Sequence, residues 1–220
     1  MTTNQEFKNA ALSALKGNWT QAVLATLVVA LIICPISGAS SLYEVFNQDR
    51  FLFETAPAGM FGVSGSSALL SIFLLLPLGV GFAYAFNALY VYADGRVVSN
   101  VFGYGFKGYW RAIAGMLLVQ IFTLLWTLLL IVPGIIKAYS YSLTPYILID
   151  NPELSPREAI RRSQQMMTGQ KFNLFWMQLS FIGWFFLACL TGGIGFLWLV
   201  PYYRASEAVF YQNIRNNMAF

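Results

Sequence analysis

Apolar residues in this chain come in six long runs, and the segments between them hold nearly all of the charge. The runs cover residues 20–36, 68–93, 112–132, 135–149, 172–190 and 193–212. Within them only Lys137, Arg204 and Glu207 are Lys, Arg, Asp or Glu. A helix needs roughly 20 mostly apolar residues to cross a bilayer. The pattern therefore predicts an all-α, polytopic transmembrane bundle of about six spans, one integral membrane domain over residues 1–220.

The segments between runs carry their own helical periodicity. Residues 1–18 place Phe7, Ala11, Ala14 and Leu15 on one face, which predicts a helix lying in the membrane interface. Residues 151–171 predict a second, cytoplasmic amphipathic helix. Ser155-Pro156-Arg157-Glu158 is a capping box with proline at the first helical position. Ala159, Ile160, Ser163, Met166 and Met167 then form one face, with Arg157, Arg161 and Arg162 mainly off it.

A short element recurs three times. Leu15-Lys16-Gly17-Asn18-Trp19, Phe106-Lys107-Gly108-Tyr109-Trp110 and Met167-Thr168-Gly169-Gln170-Lys171-Phe172 precede the first, third and fifth runs. Each ends a short amphipathic stretch with a glycine and puts an aromatic at the mouth of the next run. A glycine stop redirects a helix, and aromatics anchor at headgroup depth. The repetition predicts three helical hairpins, each introduced by an interfacial element.

The fourth and sixth runs fit a simple span least well. Residues 135–149 are few and include Pro145, and Pro133-Gly134 before them reads as a tight turn. The last run contains Pro201 and ends in the polar stretch from Arg204 to Glu207. A re-entrant or interfacial segment is an alternative for either. Residues 44–66 read as an outer loop, acidic at Glu44, Asp49 and Glu54 and rich in Gly and Ser. Ser37-Gly38-Ala39 resembles a signal-peptide cleavage site, but the charged leader is long for one. A retained first span is the expectation.

Charge sets the orientation. With the N-terminus in the cytoplasm and one crossing per run, eleven of the thirteen basic residues fall on the inner side; Arg50 and Lys137 do not. The positive-inside rule thus supports six helices with both termini cytoplasmic. Charged residues make up 10% of the chain, against about 25% in soluble domains, as lipid demands. The net charge of +4 then reflects topology and anionic headgroups, not nucleic acid. Arg157, Arg161, Arg162 and Lys171 are the candidate headgroup ligands.

Catalytic chemistry finds little support. The chain has no histidine, which removes Ser-His and Cys-His systems and histidine metal sites. Cys34 and Cys189 lie inside apolar runs and read as small buried side chains. Gly62-Val63-Ser64-Gly65 matches the pattern around an intramembrane serine nucleophile, yet no histidine is there to activate Ser64. No phosphate-binding loop, metal cluster or cofactor motif is present. In-span polar groups are the other candidates: Asn87, Gln120, Lys137, Gln178, Arg204 and Glu207. For the amides, interhelical hydrogen bonds are the default. Lys137 is expected to snorkel outward, and Arg204 and Glu207 to pair three residues apart on one helix face.

Family resemblance rests on the C-terminal half. It runs through Pro133-Gly134-Ile135-Ile136, Tyr139-Ser140-Tyr141-Ser142-Leu143-Thr144-Pro145-Tyr146 and Asp150-Asn151-Pro152. It continues in Glu158-Ala159-Ile160-Arg161-Arg162-Ser163, Met167-Thr168-Gly169 and Gly193-Ile194-Gly195-Phe196-Leu197-Trp198-Leu199-Val200-Pro201-Tyr202. This closely resembles the bacterial integral membrane family called domain of unknown function nine-seven-five, and Leu15–Trp19 is similar to it as well. The resemblance implies a multi-pass protein of the bacterial inner membrane. It implies no activity and no site residues.

Two functional classes follow as expectations. The first is a non-enzymatic lipid-interacting, scaffold or assembly factor, partnered by membrane lipids, anionic ones included. A homo-oligomer or complexes with other membrane proteins are compatible with it. The second is a small permease or exporter component. A lipid-modifying enzyme of unfamiliar type is a distant third.

Overall fold

A computed structural model describes residues 4–46 and 65–218, with side chains described for 4–32, 73–74 and 76–218. Among the described residues the secondary structure is helical throughout, without strands. In chain order the helices are α1 (Asn4–Leu15), α2 (Trp19–Phe46), α3 (Gly65–Tyr92), α4 (Val97–Phe106), α5 (Tyr109–Leu129) and α6 (Ile131–Tyr141). They continue as α7 (Thr144–Asp150), α8 (Pro156–Met166), α9 (Lys171–Leu179), α10 (Ile182–Leu190) and α11 (Phe196–Asn217). Of the loop expected over 44–66, residues 47–64, with Ser64, lie outside the described residues. Glu44 falls within α2.

The three glycine corners take one conformation. Gly17, Gly108 and Gly169 have φ of +89°, +74° and +77°, the left-handed region that L side chains rarely adopt. Each ends a short helix (α1, α4, α8) and starts an apolar segment: α2, α5, and α9 with α10. The first corner bends the chain by 94°. The order of short helix, outgoing helix and returning helix thus occurs three times, as α1–α3, α4–α7 and α8–α11.

Burial is one-sided along the helix axes. The ends nearest α1, α4 and α8 are packed: Ala22 and Ala25 of α2, Phe86 and Leu89 of α3, Ala112 and Ile113 of α5, Leu174 and Met177 of α9, and Ala208, Phe210 and Tyr211 of α11. The described opposite ends of α5, α6 and α10 are bare. Leu128, Leu129 and Ile131 at the α5–α6 tip and Phe186, Leu187 and Leu190 on α10 are all exposed. Soluble monomers rarely present contiguous apolar patches of more than a few hundred Å². Such a surface suits lipid.

Among the described residues, length and composition single out two spans, Tyr109–Leu129 and Lys171–Leu190, or up to three if the bent pair Asn4–Leu15 and Trp19–Ile32 counts as one. The expected six-span bundle is therefore not established. The main departure is α11, whose C-terminal half is polar and buried in protein rather than bare. The fourth run is also not one helix. It breaks at Ser142–Leu143 into α6 of 11 residues and α7 of 7, each too short to cross at 1.5 Å per residue. Pro145 is the reason: it has no N–H to offer the Tyr141 carbonyl, and its ring clashes there. The fifth run is interrupted at Ser180–Phe181, between α9 and α10.

The expected turn at Pro133-Gly134 is also displaced. The chain reverses at Leu130, which is extended (φ −159°, ψ 138°). Pro133 instead sits in the first turn of α6, where its missing N–H costs nothing. Gly134 lets the hairpin close, since a Cβ there would lie 2.6 Å from Thr127 Cα. A tighter contact joins α3 to α4. A Cβ on Gly81 would collide with the Val101 carbonyl, and one on Gly105 would lie 2.9 Å from the Pro77 carbonyl.

Side chains from distant segments cap the carbonyls near these breaks. Ser163 Oγ of α8 donates to the Ser140 carbonyl at 2.8 Å. Lys8 Nζ of α1 donates to the Ser180 carbonyl at 3.0 Å and lies 4.4 Å from the Phe181 ring centroid. The apolar face of α1 packs on protein, with Phe7 edge-on to Phe210 of α11 at 5.5 Å.

Candidate functional site

The packed end collects most of the cations. On α8 the capping box forms as the spacing predicts. Glu158 N–H donates to Ser155 Oγ at 3.3 Å, and Ser155 N–H donates to Glu158 Oε2 at 2.8 Å. The Ser155 side chain and backbone N–H beside it hold the Glu158 carboxyl below its ordinary value. With the helix start fixed, Ala159, Ile160, Ser163 and Met166 are buried, and α8 packs on α5, α6 and α7. Arg157 and Arg161 point outward and are exposed. Arg162 is half-buried and donates to Asn151 Oδ1 at 3.4 Å. Lys171 is half-buried at the first position of α9.

Most in-span polar groups are tied to other helices. Asn87 of α3 is buried and accepts from Gln212 Nε2 of α11 at 2.6 Å. Gln178 of α9 accepts from Tyr139 Oη at 2.8 Å and donates to Tyr203 Oη at 2.7 Å, joining α6, α9 and α11. Arg204 and Glu207 form the expected pair at 3.0 Å. Gln120 differs: it is exposed on α5 and makes no interhelical bond among the described residues. Lys137 is half-buried, with Nζ 4.9 Å from the Trp126 ring centroid. Cys189 is exposed, against the expectation of burial; the Cys34 side chain lies outside the described residues.

One arrangement was not anticipated. Tyr203, Glu207, Tyr211 and Arg215 are spaced by four and share a face of α11, as helical geometry requires. Tyr211 Oη donates to Asp150 Oδ2 at 2.7 Å, and Arg215 Nη1 pairs with the same oxygen at 2.8 Å. Tyr146 of α7 stacks on Tyr211 at 5.0 Å. A polar ladder thus follows α11 from Gln178 to Arg215. The four-residue spacing was present in the sequence, but the partners on α7 and α9 were not readable from it. At its upper end Gln178 and Tyr203 border an otherwise apolar cavity of about 280 Å³ lined by Phe181, Phe185 and Phe196.

A second cluster involves Arg111, at the start of α5. Its Nε donates to the Leu154 carbonyl at 2.9 Å and its Nη2 to the Asn151 carbonyl, fastening the segment between α7 and α8. Nearby, Asp94 accepts from Arg96 and from Asn100 Nδ2. Those bonds hold its carboxyl at about 2 and fix the corner between α3 and α4.

A family model described as "Protein of unknown function (DUF975)" matches residues 1–140 and 127–218. No curated protein and no solved structure matches the chain.

Proposed function

From a chain that belongs to the DUF975 family, itself of unknown function, we propose a multi-pass protein of the bacterial inner membrane that acts without catalysis, as a lipid-interacting scaffold or assembly factor. Its six apolar runs cross as three hairpins, with both termini cytoplasmic. The bare apolar ends of α5, α6 and α10 lie in the bilayer, and the packed end, with α1, α4 and α8, sits at the cytoplasmic face. The observation that carries the reading is α8. One face is buried against three helices, which leaves Arg157 and Arg161 displayed outward. Near an anionic leaflet each such cation contributes about 1 kcal/mol.

Native mass spectrometry of the detergent-purified protein tests this. Anionic phosphatidylglycerol is titrated against zwitterionic phosphatidylcholine. The Arg157→Ala/Arg161→Ala/Arg162→Ala variant is expected to lose phosphatidylglycerol retention at least tenfold, with phosphatidylcholine unchanged. Equal retention by parent and variant removes the lipid role of α8.

The ladder along α11 and the broken helices beside it favour a second reading, a small permease or exporter component. Transporters place polar groups at interrupted helices near the bilayer midplane. Flux of ions or small solutes in proteoliposomes, lost on Glu207→Gln, would favour it over the scaffold.

A further inference from the structure

Between α3, α4, α5 and α7 lies a cavity of about 190 Å³ whose polar mouth carries Lys107 and Arg111 beside Tyr84 and Tyr104. We propose that it binds a phosphate group, that of an anionic lipid headgroup or of free phosphate. The inference rests on the cytoplasmic placement of the packed end given above.

Charge balance is the main argument. A guanidinium has five N–H donors, and the two bonds of Arg111 to the Asn151 and Leu154 carbonyls engage two of its nitrogens. Both acceptors are neutral. No carboxylate lies within ion-pair distance of Arg111 among the described residues, and Glu153 acts on it only from farther away. Among the described residues, Lys107 Nζ meets only the Tyr104 ring, at 5.1 Å. Two cations thus line one cavity without a paired anion. The carbonyl clamp holds Arg111 in place before any ligand arrives, which lowers the ordering cost of binding.

The surroundings favour the lipid source. Val80, Ala112, Leu148 and Ile149 form an apolar wall beneath the cations, suited to the glycerol and upper acyl carbons. Trp110, next to Arg111, is 72% exposed, as expected of an aromatic at headgroup depth. Tyr84 and Tyr104 stack at 3.5 Å and close one side of the site.

Ligand-induced thermal stabilisation of the full chain in detergent tests the site with two probes, short-chain phosphatidylglycerol and inorganic phosphate. Lys107 is exposed, so Lys107→Glu is expected to fold with the parent's melting temperature when no ligand is added. Loss of one charge-assisted contact of about 1.5–3 kcal/mol predicts an apparent Kd for phosphatidylglycerol raised about 10–100-fold. Stabilisation of the parent by the lipid alone identifies a headgroup site. Equal stabilisation by inorganic phosphate identifies a phosphate site. In both cases Lys107→Glu must lose the effect. The proposal is overturned if neither probe stabilises the parent, or if Lys107→Glu keeps the full shift. The α8 triple variant separates the two readings. If it abolishes lipid stabilisation while Lys107→Glu does not, headgroup binding belongs to α8 and this site is wrong. If it leaves a shift that Lys107→Glu removes, the site stands and the α8 reading fails.

Discussion

Single residues in this protein matter most where an amide or a cation sits away from water. Asn87 and Gln212 illustrate the energetics. Both are buried, and the 2.6 Å bond between them joins α3 to α11. Gln212→Leu strands the Asn87 carbonyl oxygen, which should cost about 1–3 kcal/mol. Adding Asn87→Leu removes the stranded group, so the double variant should regain part of that loss in thermal unfolding. Strictly additive losses would mean that the two residues are not coupled. In sequence, Asn87 and Gln178 stood out because an amide within an apolar run needs a partner. The partners did not, because Gln212 and Tyr203 come from a helix far along the chain. Gln120 has the same sequence character as Asn87, yet it faces outward on α5. Which face of a helix is covered depends on neighbours that local periodicity does not specify.

At the level of helices, the corners and close approaches decide the architecture. Gly17, Gly108 and Gly169 were recognisable as stops because each lies between a short periodic stretch and an aromatic. Their common positive φ is the physical counterpart of that pattern. The break inside the fourth run follows from Pro145, four residues past the carbonyl it obstructs. Sequence reading instead placed the turn at Pro133-Gly134, because a proline in the first turn of a helix carries the same letters as one in a loop. Gly79 and Gly81 look equivalent in sequence, yet only Gly81 is pressed against the α4 backbone. Gly81→Leu should therefore lower stability by about 1–3 kcal/mol. Gly79→Ala, with open space at its Cβ, should keep the parent's stability or raise it by up to about 1 kcal/mol. Melting temperatures in one detergent compare the two, and similar losses would argue against the α3–α4 contact.

At the scale of the whole molecule, the described residues are packed at one end and bare and apolar at the tips of α5, α6 and α10, and the proposed topology assigns these ends to cytoplasm and bilayer. Single cysteines on a Cys34→Ser/Cys189→Ser background map this directly. Cysteines at Ser13, Thr168 and Asn217 should react with an impermeant maleimide only after the membrane is opened. Those at Ile131 and Thr191 should react in intact spheroplasts. Labelling of Asn217 from outside would remove the sixth crossing, the one least supported by the composition of α11. The apolar runs revealed the bare end of the molecule, since lipid selects by composition alone. The packed end was harder to foresee, because it is built from contacts between the first, second and third hairpins.

Lys8 reaches the Ser180 carbonyl across 172 residues of sequence. At about 5–20 residues per second of synthesis, the amino-terminal helix waits on the order of 9–35 s before its partner exists. During that interval its apolar face lacks α9 and α11 and has only α3 and the membrane surface to rest on. The last hairpin to be made is thus the one that locks the first in place, and a chain cut short before it should leave the amino terminus open to protease.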